Sequence, residues 1–261
     1  MKYKIVYFGT PSFSADLLEK VINSNLVEIT LVVTQPDKPV GREQILTPSP
    51  VKLIAQKYRI EVFDHGKLSE LPELLITKNI DLGLVFSYGK IINSELLSSP
   101  KLKFGDTGFG FLNIHPSLLP KYRGASPIVF PLLLGDKETG VSLMVMDEKM
   151  DHGPLLAQEK LAISENDTTH TLTTKLTDLA FDMISKFISQ FLISNIQYPL
   201  SPQNHSHASF ARFLTRDDGF IPLSLLQKVL HGEPISTEEF PDIIKWYCQK
   251  NNLSLHPISN I

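Results

Sequence analysis

Asn113 and His115 stand two residues apart at the end of an apolar run, in FLNIHPSLLPKYRGASPI over residues 111–128. On an extended chain, residues i and i+2 share a face, so the two side chains point the same way. A third group, Asp151, lies in MDEKMDHGP over residues 146–154. If the turn carrying it lies beside the end of the Asn113–His115 strand, an amide, an imidazole and a carboxylate meet. That set suits acyl transfer to an amine. The amide N–H stabilises an oxyanion, the imidazole moves protons near neutral pH, and the carboxylate orients the imidazole. No serine or cysteine nucleophile is needed, because the amine attacks directly. The intervening SLLP offers an apolar wall with exposed backbone groups, suited to a flat heterocycle. Spacing alone leaves a plainer reading open, in which Asn113 and His115 merely cap a strand end.

Such residues need a rigid frame, and the chain supplies one. YKIVYF (3–8), EITLVVT (28–34), DLGLVFS (81–87), GFGFLNIH (108–115), TGVSLMVMD (139–147) and PLLAQEKLAI (154–163) read as strands. Helical patterns fall between them, the first capped by Ser12 and another beginning near Pro127. A long amphipathic helix over 167–191 closes the domain. Strands alternating with helices predict an α/β fold with a doubly wound, mostly parallel sheet. Asn113 and His115 then sit at a strand's carboxyl end, where such sheets bind ligands. Residues 35–50, with four prolines and one glycine, read as a long loop.

Bulk properties narrow the class. The chain has 261 residues, 42% of them hydrophobic and 20% charged, with a formal net charge of −3. This is the composition of an ordinary globular protein, and any nucleic-acid contact must come from a local basic patch. One cysteine, Cys248, excludes a disulfide framework within the chain and a multi-cysteine zinc site. With no apolar run long enough to span a bilayer, a cytoplasmic setting is expected.

NIHPSLLPKYRGASPI followed by TGVSLMVMDEKMDHGP resembles the folate-dependent formyltransferase family. The resemblance implies 10-formyltetrahydrofolate as formyl donor, no metal, and a Rossmann-like formyltransferase fold. It implies catalytic roles for Asn113, His115 and Asp151. It places folate against Ser117, Leu118, Leu119 and Pro120, against Ser87, Tyr88 and Gly89 of SYGK, and against Met146 and Asp147. FGTPSF, TQPDKPVGR, PSPVK and SYGKII are similar to the branch of the family that formylates the α-amino group of initiator methionyl-tRNA. In that branch the first long loop reaches the acceptor stem, so Thr10, Lys38 and Arg42 are candidates for tRNA contact. Lys121 and Arg123 are candidates for an anionic part of the acceptor, or a solvated basic pair. A different acceptor, an amino sugar on a nucleotide, is the first alternative. A non-catalytic folate- or RNA-binding relic is the second.

Departures from the family accompany the match. GREQIL carries fewer basic residues than the corresponding loop of relatives, and KLKFGDTGFGF holds extra residues before Asn113. The resemblance covers residues 3 to about 195. Residues 1–195 are therefore expected to form the catalytic domain. Residues 196–261 are expected to form a linker and a short extension, truncated relative to the family's β-barrel domain. A monomer is expected. His205 and His207 read as solvated residues of that linker, and Trp246 and Tyr247 as packing for the tail.

Overall fold

A computed structural model describes residues 2–97, 110–194, 199–219, 223–251 and 254. Its centre is a seven-stranded sheet built from β1 (Lys4–Gly9), β2 (Glu28–Val33), β5 (Glu61–Phe63), β6 (Leu82–Phe86), β7 (Phe111–His115), β9 (Glu138–Val145) and β10 (Leu155–Ala162). The order is β10-β9-β7-β6-β1-β2-β5. β7, β6, β1, β2 and β5 run parallel, while β9 and β10 add antiparallel neighbours beside β7. The predicted doubly wound sheet is thus present, with a mixed edge.

Alternation along the strands builds two apolar layers. Tyr7, Phe86, Leu112, Ile114 and Leu143 face one cluster, which is closed by α1 (Ser12–Ser24), α2 (Pro50–Lys57) and α6 (Thr169–Ser194). Val6, Phe8, Val33, Val85 and Phe111 face the other, closed by Leu71 and Leu75 of α3 (Leu71–Thr77) and Leu96 of α4 (Ser94–Leu97). Each fully buried side chain of this size contributes about 1.5–3 kcal/mol. The strands are anchored independently of whatever the site does.

Three expectations are corrected. Residues 35–50 are not a plain loop. Within them β3 (Lys38–Val40) and β4 (Ile45–Thr47) pair as an antiparallel hairpin with Gly41 in the left-handed region at φ 73°. All six strand residues are exposed, so the alternation that betrays a half-buried strand is absent. Ser12 does not cap α1; Pro11 occupies the cap position with no side-chain hydrogen bond. Ser49 does cap α2, accepting from the Lys52 N–H. β5, only three residues at the sheet edge, carries too short a pattern to read. Most of KLKFGDTGFGF, with the expected strand start at 108, lies outside the described residues.

The third correction concerns the expected linker. Ser201 and Leu155 exchange both backbone hydrogen bonds, and β11 (Phe210–Ala211) pairs in parallel with β8 (Arg123–Gly124). α7 (Leu223–His231) follows, and then α8 (Asp242–Lys250) packs Ile243, Tyr247 and Cys248 against Tyr122 and Phe130 of the segment after β7 and Ala211 of β11. Tyr247 and Trp246 thus pack as expected. Within 199–211, Gln203 and Ala211 are buried, while residues 199–202 and 204–207 remain exposed.

Candidate active site

β7 has five residues and two faces. Leu112 and Ile114 enter the cluster under α6, which leaves Asn113 and His115 on the face of Phe111. Asp151 arrives from the turn between β9 and β10. Asn113 Nδ2 donates to Asp151 Oδ1 at 3.2 Å, and His115 Nδ1 lies 3.5 Å from the same oxygen. The other carboxylate oxygen, Oδ2, accepts the Gly124 N–H at 2.7 Å. The structure therefore brings the three expected residues to one point. His115 is 4% exposed. Its Nε2 faces the Tyr122 carbonyl at 3.0 Å. A carbonyl only accepts, so Nε2 carries a proton and donates. Nδ1 is then the ring nitrogen turned toward the reactive side. At 3.5 Å it stands near the carboxylate without a full hydrogen bond to it.

Tyr122 links this imidazole to the rest of the fold. Its hydroxyl donates to Asp136 Oδ2 at 2.5 Å, and its ring stacks on Tyr247. Burial first, then the Asp136 carboxylate, hold the phenol protonated far above its ordinary range. The tyrosine is a fixed neutral strut.

The expected donor residues come from three segments, 87–89, 117–120 and 146–147. Ser87 and Gly89 are exposed in left-handed turn conformations (φ 56° and 78°), while the Tyr88 ring is buried edge-on against Phe8. The Tyr88 carbonyl accepts from Thr10 Oγ1 at 2.8 Å and Gln35 Nε2 at 3.0 Å, which ties the 87–89 turn to the end of β1. Half-buried Met146 packs on the cluster that holds Val85, Tyr88 and Phe111. Asp147 pairs with His152, Oδ2 to Nδ1, at 2.6 Å. Backbone groups at 87–89 beside the Met146 side chain make a donor set that fits a flat heterocycle.

Ser117–Pro120 packs along β9, the strand that leads to Met146. Ser117 is fully buried and donates through Oγ to the Lys121 carbonyl at 2.6 Å. Leu119 is 3% exposed, in a cluster with Met144 and Leu155. Leu118 leans over Gly140, six positions before Met146 along the β9 direction. Leu119, by contrast, packs on Met144, two positions before Met146. Ser117, Leu119 and the cis Leu119–Pro120 bond therefore shape the frame of the site.

The expected acceptor contacts divide as well. Lys38 and Arg42 are exposed on the β3–β4 hairpin, and Lys121 is exposed beside the site. Arg123 is 5% exposed, with Nη2 on Gln203 Oε1 at 2.6 Å and on His205 Nδ1 at 2.9 Å. It cannot reach an anionic substrate, and burial lowers its affinity for a proton. His205 and His207 are exposed, as expected of the linker, and His205 also stacks on His152 with ring centroids 4.0 Å apart. Among the described residues, no group of three or more His, Cys, Asp or Glu side chains could hold a metal ion, and no helix is long and apolar enough to cross a membrane.

Two residues of the site escaped sequence reasoning. Ser142 is a fully buried polar residue that gives Oγ–H to the Ser117 carbonyl and accepts from the Leu119 N–H and Gln158 Nε2. Its signal was a lone hydroxyl inside the apolar run GVSLMV. Lys52 bridges Asp37 and Asp64, both at 2.7 Å, and fastens the base of the hairpin. The hydrogen bond to Asp37 and then that to Asp64 raise its affinity for a proton.

Residues 1–188 match the family model described as Formyl transferase. A methionyl-tRNA formyltransferase of Staphylococcus epidermidis is 35% identical over 250 residues, covering 95% of this chain and 77% of that protein. One of Caldicellulosiruptor saccharolyticus is 39% identical over 249 residues, covering 94% and 76%. Among solved structures, the phosphoribosylglycinamide formyltransferase of Bacillus halodurans superposes with a TM-score of 0.60 at 25% identity, covering 75% of this chain and 98% of that one. On these matches the chain belongs to the formyl transferase family, in its methionyl-tRNA formyltransferase branch.

Proposed function

We propose that this chain transfers a formyl group from 10-formyltetrahydrofolate to the α-amino group of initiator methionyl-tRNA. The observation that carries the proposal is the convergence of Asn113, His115 and Asp151 on one carboxylate oxygen. When bound, the donor supplies the activated formyl carbonyl. Asn113 spends one amide N–H on Asp151 and has a second for the oxygen on which negative charge collects as the amine adds. His115, held through Nε2 by Tyr122, presents Nδ1 to the same region and can donate there when protonated. Asp151 accepts the proton that the amine must lose as its new C–N bond forms, and that proton passes to the donor nitrogen as the bond between that nitrogen and the formyl carbon breaks. Residues 87–89 and Met146 would hold the pterin through backbone groups and an apolar edge. Thr10 braces that turn.

The acceptor is held, in this reading, by the exposed hairpin carrying Lys38 and Arg42, with Lys121 beside the site. Its few basic residues should make a shallow salt dependence, equivalent to about two to four phosphate contacts. Arg42→Ala lowers kcat/KM for methionyl-tRNA about tenfold and reduces the salt slope by about one contact, with the donor KM unchanged. The test is the initial rate of formylation against salt, wild type beside variant, with charged initiator tRNA and separately with an amino-sugar nucleotide. Formylation of the nucleotide but not of the tRNA at every salt concentration defeats the acceptor assignment.

A further inference from the structure

Asp151 holds a left-handed backbone, φ 50°, which an L-residue other than glycine adopts at a cost of about 1–2 kcal/mol. Such a conformation persists where its surroundings over-determine it, and here they do so on several sides. Gly124 N–H holds the carboxylate through Oδ2. Gly153 lies so close to β9 that a Cβ there would stand 1.9 Å from the Val145 carbonyl oxygen. The third hold comes from a residue distant in sequence. Gln203 Nε2 donates to the Asp151 carbonyl at 3.1 Å and to the Gly153 carbonyl at 2.7 Å.

The Gln203 amide is itself aimed. Its Oε1 accepts Arg123 Nη2 at 2.6 Å, so the nitrogen end must face the two carbonyls. Arg123 in turn gives Nη2 to His205 Nδ1, and His205 stacks on His152, the residue after Asp151, with 4° between the rings. A buried guanidinium whose Nε finds no partner among the described residues is expensive to keep. Its two Nη2 contacts close a ring of neighbours that begins and ends at the Asp151 turn. Gly124, which grips the carboxylate, is the residue next to Arg123 in the chain.

We infer that Gln203, aimed by Arg123, is a positioning residue for formyl transfer. It fixes the 151–153 backbone so that Asp151 Oδ1 stays between Asn113 and His115. The inference rests on the proposed role of Asp151 in the reaction, and its test is arranged to separate the two. Gln203→Met keeps the length of the side chain and removes both donors. Gln203→Glu keeps an acceptor for Arg123, now as a charge pair, and turns the donors into an oxygen facing two carbonyls.

Both variants of the full chain should lose about tenfold or more in kcat, with KM for donor and acceptor within about twofold, as displacement of a placed group does. Amide hydrogen exchange supplies a readout that needs no activity. The Gly124 N–H reports the Asp151 carboxylate directly, and its exchange should quicken at least tenfold while Val6 and Leu143, deep in the sheet, keep their wild-type rates. Loss of stability alone would speed the sheet amides together with Gly124, and that pattern overturns the inference. So does wild-type exchange at Gly124, or a kcat within twofold of wild type in both variants. If the wild-type chain itself fails to formylate methionyl-tRNA, the functional reading falls. In that case kcat is read with the acceptor that does react, and exchange at Gly124 still decides whether Gln203 holds the turn.

Discussion

His115→Ala and Asp151→Asn each lower turnover by about two orders of magnitude or more, and binding of the folate donor changes little. The reason is geometric. Asp151 uses both oxygens as acceptors, one toward Gly124 and the other toward Asn113 and His115. An asparagine of the same shape must present an amide N–H to one of those sides, where a donor already stands. It therefore loses either the grip on Gly124 or the approach to Asn113, and it can no longer take a proton from the amine. His115→Ala removes the imidazole and leaves the buried Tyr122 carbonyl without its donor. Both variants should retain the sheet, because Leu112 and Ile114 anchor β7 from the opposite face. Single-turnover rates together with calorimetric titration of the donor check the pair. Turnover within threefold of wild type in either folded variant removes that residue from the mechanism.

The frame of this site was legible in the sequence because its periods are long and clean. β1 and β6 carry continuous apolar runs, and α6 keeps one apolar face over many turns. The meeting of Asn113, His115 and Asp151 was legible from residue chemistry and family likeness together. What could not be read was burial decided by distant partners. Arg123 looks like a surface cation, and only Gln203, 80 residues away, makes an interior place for it. Ser117 and Leu119 look like a pocket wall, yet the hydroxyl of Ser142 and the amide of Gln158 draw the loop onto β9 and β10. The hairpin escaped for the opposite reason. Its strands are exposed along their whole length, so nothing in the pattern marked a buried face.

That same loop anchorage predicts the second large effect. Ser142→Ala should lower the melting temperature by roughly 6–12 °C. Ser142 is fully buried and sits opposite His115 in the β7–β9 ladder. Its hydroxyl donates to the Ser117 carbonyl at 2.6 Å, and accepts the Leu119 N–H at 3.0 Å and Gln158 Nε2 at 2.8 Å. Alanine leaves a backbone carbonyl and a backbone N–H without these partners in a dry interior, at a combined cost of about 3 kcal/mol. For a chain of this size, each kcal/mol moves the midpoint by about 2–4 °C. Gln158 cannot compensate fully, because its amide is already on the Leu119 carbonyl. The consequence reaches the chemistry, since the loop leads directly into Tyr122, whose carbonyl holds His115 Nε2. Turnover measured well below the melting midpoint should therefore fall as well, by about tenfold, as a placed imidazole loses its support. Thermal unfolding followed by circular dichroism, with kcat at 20 °C on the same sample, tests both halves. A midpoint within 2 °C of wild type shows that the loop holds without Ser142. A lowered midpoint with full turnover shows that the loop supports the fold but not the imidazole.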